Sequence, residues 1–249
     1  METAPSVPAP AIGPTLVVRQ GPFRALSHLC RIPLAPRPDL PDYGIWQAAR
    51  EEVHLISMWS KWLLSGLFSP PVPLYDDRAE MLRAAARTAP PRGLWLEFGV
   101  HRGRSINEIA TLAPGPVYGF DSFEGLPRRW TPRYPVGAFN LDGGLPVVRS
   151  NVTLIKGWFD ETVGPFLEQH PNDTVSLLHI DCDLYQSART VLAAVQSRLR
   201  AGSVVLFDEF EGFFPDTEGR AFRELVRSTD RDFVYMGAGV FGAVALVIQ

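Results

Sequence analysis

The sequence contains the segment Leu94-Trp-Leu-Glu-Phe-Gly-Val-His-Arg-Gly-Arg-Ser105, in which an apolar run leads into two glycines. A helical pattern, Ile106-Asn-Glu-Ile-Ala110, follows at once. Gly99 can adopt backbone angles that other residues avoid, and Gly103 lets a ligand approach the main chain closely. The start of the helix adds unpaired N–H groups and the positive end of its dipole. The segment therefore predicts a strand, a turn and a helix that together bind a nucleotide-like ligand, with a purely structural turn as the alternative.

Strand patterns and helical patterns alternate along the rest of the chain. We predict strands at 94–100, 117–121, 152–156, 175–181, 203–208, 233–236 and 244–248, and helices at 77–87, 102–112, 161–170, 187–199 and 218–226. This alternation is typical of an α/β fold with a mostly parallel sheet and helices on both faces. The last two strands are expected to form a hairpin, which places one antiparallel strand near an edge of the sheet.

The first part of the chain has a different character. Residues 1–43 are rich in proline and lack a periodic pattern, which is typical of an extended arm. Between 43 and 68, apolar residues recur at helical spacing and predict an amphipathic helix. We therefore divide the chain into a helical N-terminal extension at 1–75 and a ligand-binding domain at 76–249. An arm next to an aromatic helix favours a homodimer in which the arm crosses to the partner.

Composition and charge argue against several classes of protein. The chain has 249 residues, is 46% hydrophobic and carries a net charge of -3, so it offers no general attraction to nucleic acid. Neither a run long enough to span a bilayer nor a secretory signal pattern is present in the sequence. The two cysteines lie far apart and are not expected to form a disulfide. We expect a cytoplasmic protein that binds neither nucleic acid nor membranes.

The spacing of the glycine turn indicates the kind of ligand. Gly99 and Gly103 do not follow the G-x-G-x-x-G pattern of turns that bind NAD. Glu97, two residues before the first glycine, would repel a pyrophosphate. The same carboxylate suits a ligand that carries an ammonium or sulfonium group.

Two later strands end in residues that suit a nucleoside. Asp121 ends the strand after the glycine turn, where an acid commonly holds the two hydroxyls of a ribose, and helix capping is its alternative role. Gly157, Trp158 and Phe159 follow the next strand. The two aromatic rings can sandwich a purine, or they can simply pack in the core.

Acidic residues mark the ends of two further strands. Asp181 and Asp183 close one of them, and Asp208 and Glu209 close the next. Because buried carboxylates are costly without a partner, we expect a cation between them. Asp181, Asp208 and Glu209 are the predicted ligands of Mg²⁺, a hard ion that prefers oxygen atoms. Capping and hydrogen bonding without a metal are the alternative.

These motifs follow one another along the chain as Glu97-Phe-Gly-Val-x-Arg-Gly-x-Ser105, Gly119-Phe-Asp-Ser-Phe-Glu-Gly-Leu-Pro127, Lys156-Gly-Trp-Phe159, His179-Ile-Asp-x-Asp-Leu-Tyr185 and Phe207-Asp-Glu209. In this set, which extends over about 94–249, the chain resembles the class I S-adenosylmethionine-dependent methyltransferases. Within that class it is most similar to the macrocin O-methyltransferase-like branch.

The resemblance implies a Rossmann-like sheet of seven strands in which the domain at 76–249 binds S-adenosylmethionine. Ser105 would join Glu97 and Gly99 at the methionine part of the cofactor. The full set of expected cofactor-binding residues is Glu97, Phe98, Gly99, Gly103, Ser105, Asp121, Ser122, Gly157, Trp158, Phe159 and Asp181. The resemblance also implies Mg²⁺ at Asp181, Asp208 and Glu209.

The sequence departs from the family at two positions. Glu209 stands where the branch usually has a second aspartate, and Leu184 stands where catechol-type relatives carry a lysine base. The base is therefore unassigned, and Asp181 and Asp183 are the candidates for catalysis. His101 and His179 are weaker candidates, as is His54 if its helix closes over the site.

We predict an O-methyltransferase that acts on a small molecule, either a sugar or a phenolic natural product. The acceptor pocket is expected from the loop at 127–150 and the N-terminal helices. Its candidate lining residues are Trp59, Trp62, Trp130, Tyr134 and Phe139, which suit a ring-bearing acceptor or else pack in the core. N-methylation and a scaffold that binds the cofactor without turnover are the alternatives.

Overall fold

The computed structural model describes residues 73–210, 218–229, 231–239 and 242–249. The predicted arm at 1–43 and the predicted helix at 43–68 lie outside the described residues, together with His54, Trp59 and Trp62. None of the described helices has the length and apolar character needed to cross a membrane.

Strands and helices alternate along the described chain. The strands are β1 (Leu74–Tyr75), β2 (Leu94–Phe98), β3 (Val117–Asp121), β4 (Val152–Lys156), β5 (Val175–Ile180), β6 (Leu199–Phe207), β7 (Phe233–Gly239) and β8 (Val244–Ile248). The helices are α1 (Arg78–Thr88), α2 (Arg104–Leu112), α3 (Phe159–Gln169), α4 (Tyr185–Val195) and α5 (Glu218–Ser228).

All the described strands join one sheet in the order β1-β7-β8-β6-β5-β2-β3-β4. Only β8 runs antiparallel to its neighbours, because the closing hairpin inserts it between β6 and β7. The predicted mostly parallel sheet and its closing hairpin are confirmed. The two-residue strand β1 extends this sheet at the β7 edge, and it is too short to produce a periodic pattern.

Each face of the sheet is covered by helices, as predicted. α1 and α2 pack through residues such as Met81 and Ile106 on the face that contains Trp95. α3, α4 and α5 pack through residues such as Phe166, Val191 and Phe222 on the opposite face. β2 and β5 lie in the middle and are buried along their whole length, which explains their nearly continuous apolar sequences.

The helix predicted at 187–199 differs at both ends. α4 begins at Tyr185 and gives way to a 3₁₀ turn at Gln196–Arg198, a common tightening of a final helical turn. The chain then enters β6 at Leu199, which pairs with Val175, so this part of the predicted helix already belongs to the sheet.

The strand order creates a crevice at the centre of the sheet. From β2 the chain proceeds to β3 and β4 on one side and then returns to β5 and β6 on the other. Connections therefore diverge at the carboxyl ends of β2 and β5, and ligands of α/β sheets bind at such switch points.

Gly99 shows how closely the two central strand ends approach each other. Its φ is 95°, and a Cβ at this position would lie 1.7 Å from the carbonyl oxygen of Asp181. We expect Gly99→Ala to lower the free energy of unfolding by about 3 kcal/mol or more, because neither backbone can move aside. Urea denaturation measures this loss. Gly115→Ala is the control, since a Cβ there meets nothing within 4 Å, and an equal loss in both variants would contradict the prediction.

Candidate active site

Three neighbouring strand ends bring the glycine and acidic motifs to one crevice. The Asp181 N–H donates to the Phe98 carbonyl at 2.9 Å, and the Asp208 N–H donates to the Ile180 carbonyl at 3.0 Å. The loops after β2, β5 and β6 are therefore held side by side. A cavity of about 1060 Å³ opens between them.

The glycine turn after β2 is organised by Asp121. Its Oδ2 accepts the N–H groups of Val100 at 2.9 Å and His101 at 2.7 Å. Its Oδ1 accepts the N–H of Phe123 at 2.7 Å. Gly103, with φ of 77°, is the N-cap of α2 and has no side chain to close that helix end. Residues 99–102 and the start of α2 line the cavity, whereas Gly103, which we expect to face the ligand, faces Pro146 and Val148.

Glu97 lies in the sheet beneath this turn and is fully buried. Its Oε1 accepts the Ser105 hydroxyl at 3.0 Å, and its Oε2 lies 3.0 Å from Nδ1 of His179. The two residues face each other because β2 and β5 pair Glu97 with His179. Burial raises the pKa of Glu97. Burial opposes ionisation of His179 as well, but the hydrogen bond and charge of Glu97 raise the pKa of this imidazole.

A cluster of acids follows on the same edge of the sheet. His179, Asp181 and Asp208 each place one potential ligand atom within 4.8 Å of the others. Asp208 is 2% exposed. The Arg78 guanidinium, from the first residue of α1, is ion-paired with Asp208, and its Nη2 lies 3.4 Å from Oε1 of Glu209.

Burial and mutual repulsion raise the pKa values of these acids. Burial and then the charge of Asp181 raise the pKa of both Asp183 and Asp208 well above the ordinary range, whereas Arg78 lowers it. Burial, together with the charge of Glu218, raises the pKa of Glu209 to about 8. A cation beside these groups is therefore strongly stabilised.

Glu218 is a site residue that the sequence did not reveal. It opens α5, is fully buried and accepts N–H groups from both acidic loops. Its Oε1 accepts from Cys182 at 2.8 Å and Asp183 at 3.1 Å, and its Oε2 accepts from Glu209 at 3.1 Å. Burial and the charge of Asp181 raise its pKa to about 7. A glutamate at the start of a predicted helix indicates only helix capping, so its sequence carried no signal of this role.

Aromatic residues of the loop between β3 and β4 form a ladder along the cavity. Trp130 stacks on Tyr134 and Tyr134 stacks on Phe139, each with 5.1 Å between ring centroids. Phe139 and the His101 imidazole then pack edge-to-face, with 5.4 Å between ring centroids. The ladder therefore runs from the loop to the glycine turn, and all of its rings line the cavity.

The predicted site residues divide into two groups. The cavity is lined by Gly99, Ser105, Asp121, Ser122, Trp158, Phe159, Asp181, Asp183, Asp208 and Glu209. The candidates Glu97, Phe98, Gly103 and Gly157 lie behind this lining. Phe98, for example, stacks on Phe120 with 4.5 Å between centroids in the core.

The acidic cluster fits a divalent cation. Asp181 and Asp208 supply carboxylate oxygens, and Asp208 already attracts a cation in the form of Arg78. The third residue of this group of converging ligand atoms is His179, and the predicted ligand Glu209 is not among its members. Glu209 lies beside Asp208 and faces Arg78 instead.

The chain is similar to methyltransferases over this same region. Residues 96–210 match the model of a family described as a methyltransferase domain. The structure of the calicheamicin methyltransferase CalS11 is 21% identical, covers 99% of this chain and 99% of its own, and has a TM-score of 0.57. The O-methyltransferase NovP is 21% identical with a TM-score of 0.47, covering 68% of this chain and 78% of its own. TomG from Streptomyces achromogenes is 16% identical with a TM-score of 0.45, covering 72% and 81%. No curated protein matches the chain.

We expect Glu218→Ala to destabilise the protein by about 3 kcal/mol, because it leaves one buried and two part-buried N–H groups without an acceptor. Denaturation in urea provides the measurement. Glu224→Ala, on the same helix, removes a part-buried hydrogen bond to Tyr185 and should cost about 1 kcal/mol. Equal stability of the two variants would show that Glu218 does not hold the acidic loops.

Proposed function

The chain carries a methyltransferase domain with the class I fold, and from this premise we propose that it methylates an oxygen atom of a small molecule with S-adenosylmethionine. The observation that carries the proposal is the shared cavity. It joins the glycine turn and the acidic cluster, so a bound cofactor and an acceptor can meet there.

The glycine turn side of the cavity suits the cofactor. Gly99 and the start of α2 line the cavity beside Ser105, and the N–H groups at this helix start suit the amino acid part. Ser105 lines the cavity there and reaches Glu97 behind it. Asp121 accepts three N–H groups, two on Oδ2 and one on Oδ1, and so keeps one lone pair, on Oδ1, for a ribose hydroxyl. Trp158 and Phe159 line the region proposed for the adenine.

S-adenosylmethionine supplies the methyl group from a sulfonium whose charge disappears during transfer. The protein's task is to hold the acceptor oxygen in line with that methyl and to exclude water. The sheet edge suits this task because hydrogen bonds fix the loops after β2, β5 and β6 to one another.

The acidic side of the cavity suits the acceptor. Asp183 lines it, and burial raises the pKa of this carboxyl, which makes its ionised form a stronger base for a hydroxyl proton. Its φ of 63° is unusual for a residue other than glycine and is fixed by the Glu218 hydrogen bond to its N–H. Asp181 is the second candidate for this role.

We further propose that the acidic cluster binds Mg²⁺ through Asp181 and Asp208, with His179 or Glu209 completing the set of protein ligands. Asp181 and Asp208 would hold the ion, which would supply Lewis acidity for the deprotonation of an acceptor hydroxyl. Glu218 accepts N–H groups from the loops that carry these carboxylates.

The acceptor is proposed to be a sugar or a phenol. The Trp130, Tyr134 and Phe139 ladder offers flat faces that stack on a ring, and the cavity volume exceeds the needs of a single small ring. The fold is shared with a calicheamicin methyltransferase, which agrees with a natural-product acceptor. Assembly as a homodimer and a cytoplasmic location remain predictions of the sequence.

Cofactor binding is tested by calorimetry on the full chain. We expect S-adenosylhomocysteine to bind and NAD not to bind, because the glycine turn lacks the NAD spacing. Asp121→Asn should weaken S-adenosylhomocysteine binding by about tenfold through loss of the ribose contact and of the turn geometry. Asp173→Asn, a change at a half-exposed acid beyond the cavity, should leave it unchanged. Binding of NAD alone would contradict the proposal.

Turnover is tested with methyl-labelled S-adenosylmethionine and two pairs of acceptors. One pair is catechol and 2-aminophenol, and the other is a 6-deoxyhexoside and its amino analogue. Label should appear in an O-methyl product, and Asp208→Asn should reduce transfer by at least about a hundredfold while cofactor binding persists. Mass spectrometry of the products separates the alternatives. Label on nitrogen alone would favour an N-methyltransferase, whereas binding without transfer to any acceptor would favour a scaffold.

A further inference from the structure

Arg78 connects the first helix of the domain to the acidic cluster. Its guanidinium is ion-paired with Asp208 and lies 3.4 Å from Glu209. The arginine side chain is 49% exposed, whereas that of Asp208 is 3% exposed. A partly solvated cation therefore reaches inward to a carboxylate that has almost no contact with water.

Helix α1 itself gives no reason for an arginine at this position. The N-terminus of a helix carries a partial positive charge, which repels a cation in its first turn. α1 is already capped, because the Asp77 side chain accepts the N–H of Ala79 at 2.9 Å. The position of Arg78 is explained by the acids across the cavity, whose charges raise the pKa of its guanidinium against the effect of burial.

Asp208 belongs to two arrangements that compete for the same carboxylate. It is one of the residues whose ligand atoms converge with those of His179 and Asp181, and it is also the partner of Arg78. A guanidinium and a divalent ion on one buried carboxylate would repel each other strongly at that short distance. The repulsion makes the two cations compete, and the arginine, whose side chain is half exposed, is the one that can return to water.

We propose that Arg78 is a resident counter-cation, which pairs with Asp208 and Glu209 when no metal is bound and is displaced when a divalent ion binds. The inference rests on the proposed metal site. It adds that the affinity of this site is set by a competing side chain of the same protein.

Displacement of Arg78 also links the metal to the wall of the acceptor cavity. Arg78, Met81 and Leu82 line that cavity from α1. The ion pair ties the start of α1 to the end of β6, and metal binding releases this tie. The acceptor side of the cavity therefore changes together with metal occupancy.

The test is calorimetric titration of Mn²⁺ into the full chain and its variants. Arg78→Met should bind Mn²⁺ at least about tenfold more tightly than the wild type, because the competing charge is gone. Arg78→Lys, which keeps the charge, should remain close to the wild type. The matched control is Arg83→Met on the same helix, because Arg83 pairs with Asp77 and Glu108 outside the acidic cluster.

Thermal unfolding gives a second readout. Without metal, Arg78→Met should melt at a lower temperature than Arg83→Met, since the buried acids have lost their counter-cation. Saturating Mn²⁺ should remove most of this difference. If Mn²⁺ failed to raise the melting temperature of Arg78→Met, the inference would be contradicted. This readout applies even if Arg78→Met folds poorly without metal.

The outcomes separate the inference from the metal site itself. Equal or weaker Mn²⁺ affinity in Arg78→Met would overturn the role of Arg78 and leave the metal site standing. Mn²⁺ binding to neither protein would overturn both. Asp208→Asn should abolish binding in each background, and binding that survives this change would place the ion elsewhere and also overturn the inference.

Discussion

The structure depends on how negative charge is held at one largely buried edge of the sheet. β5 and β6 end side by side, and each delivers acids to the same crevice, where burial opposes their ionisation. Charges of this kind persist only when hydrogen bonds and cations surround them. Glu218 accepts N–H groups from both acidic loops, and these hydrogen bonds fix the conformation of the loops. Arg78 supplies positive charge from the opposite wall. The same features that stabilise the edge also make it a place where a cation and a nucleophile can be brought together.

Much of the fold could be predicted because its patterns are local. The apolar runs of β2 and β5 show burial on both faces, and the alternation of strands with helices requires a mostly parallel sheet. The antiparallel strand β8 could be predicted because the last two strands have no helix between them and so form a hairpin. β1 was missed because it has only two residues. The start of β6 at Leu199 was assigned to a helix, because a pairing with Val175 leaves no trace in the local sequence.

The site was predictable where it depends on strand ends and not where it depends on pairs of side chains from distant segments. The acids after β5 and β6 had to meet, since the ends of adjacent parallel strands lie at one edge. The pairing of Glu97 with His179 depends on the register between β2 and β5, which the sequence does not state. Arg78 lies at the start of α1, 130 or more residues from its partners Asp208 and Glu209. Glu218 lies at the start of α5, nine residues after Glu209, whose N–H it accepts. Only the assembled sheet brings them to the crevice. The closeness of Gly99 to Asp181, in contrast, agrees with the predicted need for glycine.

The central claim is that the glycine turn and the acidic cluster serve one reaction in one cavity. The most direct measurement is the NMR line width of S-adenosylmethionine labelled with ¹³C in its methyl group, bound to the protein in the presence of Mn²⁺ or Mg²⁺. Paramagnetic broadening falls off steeply with distance from the manganese. We expect strong broadening of the bound methyl signal with Mn²⁺ and a narrow signal with Mg²⁺. Equal line widths for a bound cofactor in a protein that also holds Mn²⁺ would mean that the two sites are separate, and would contradict the account.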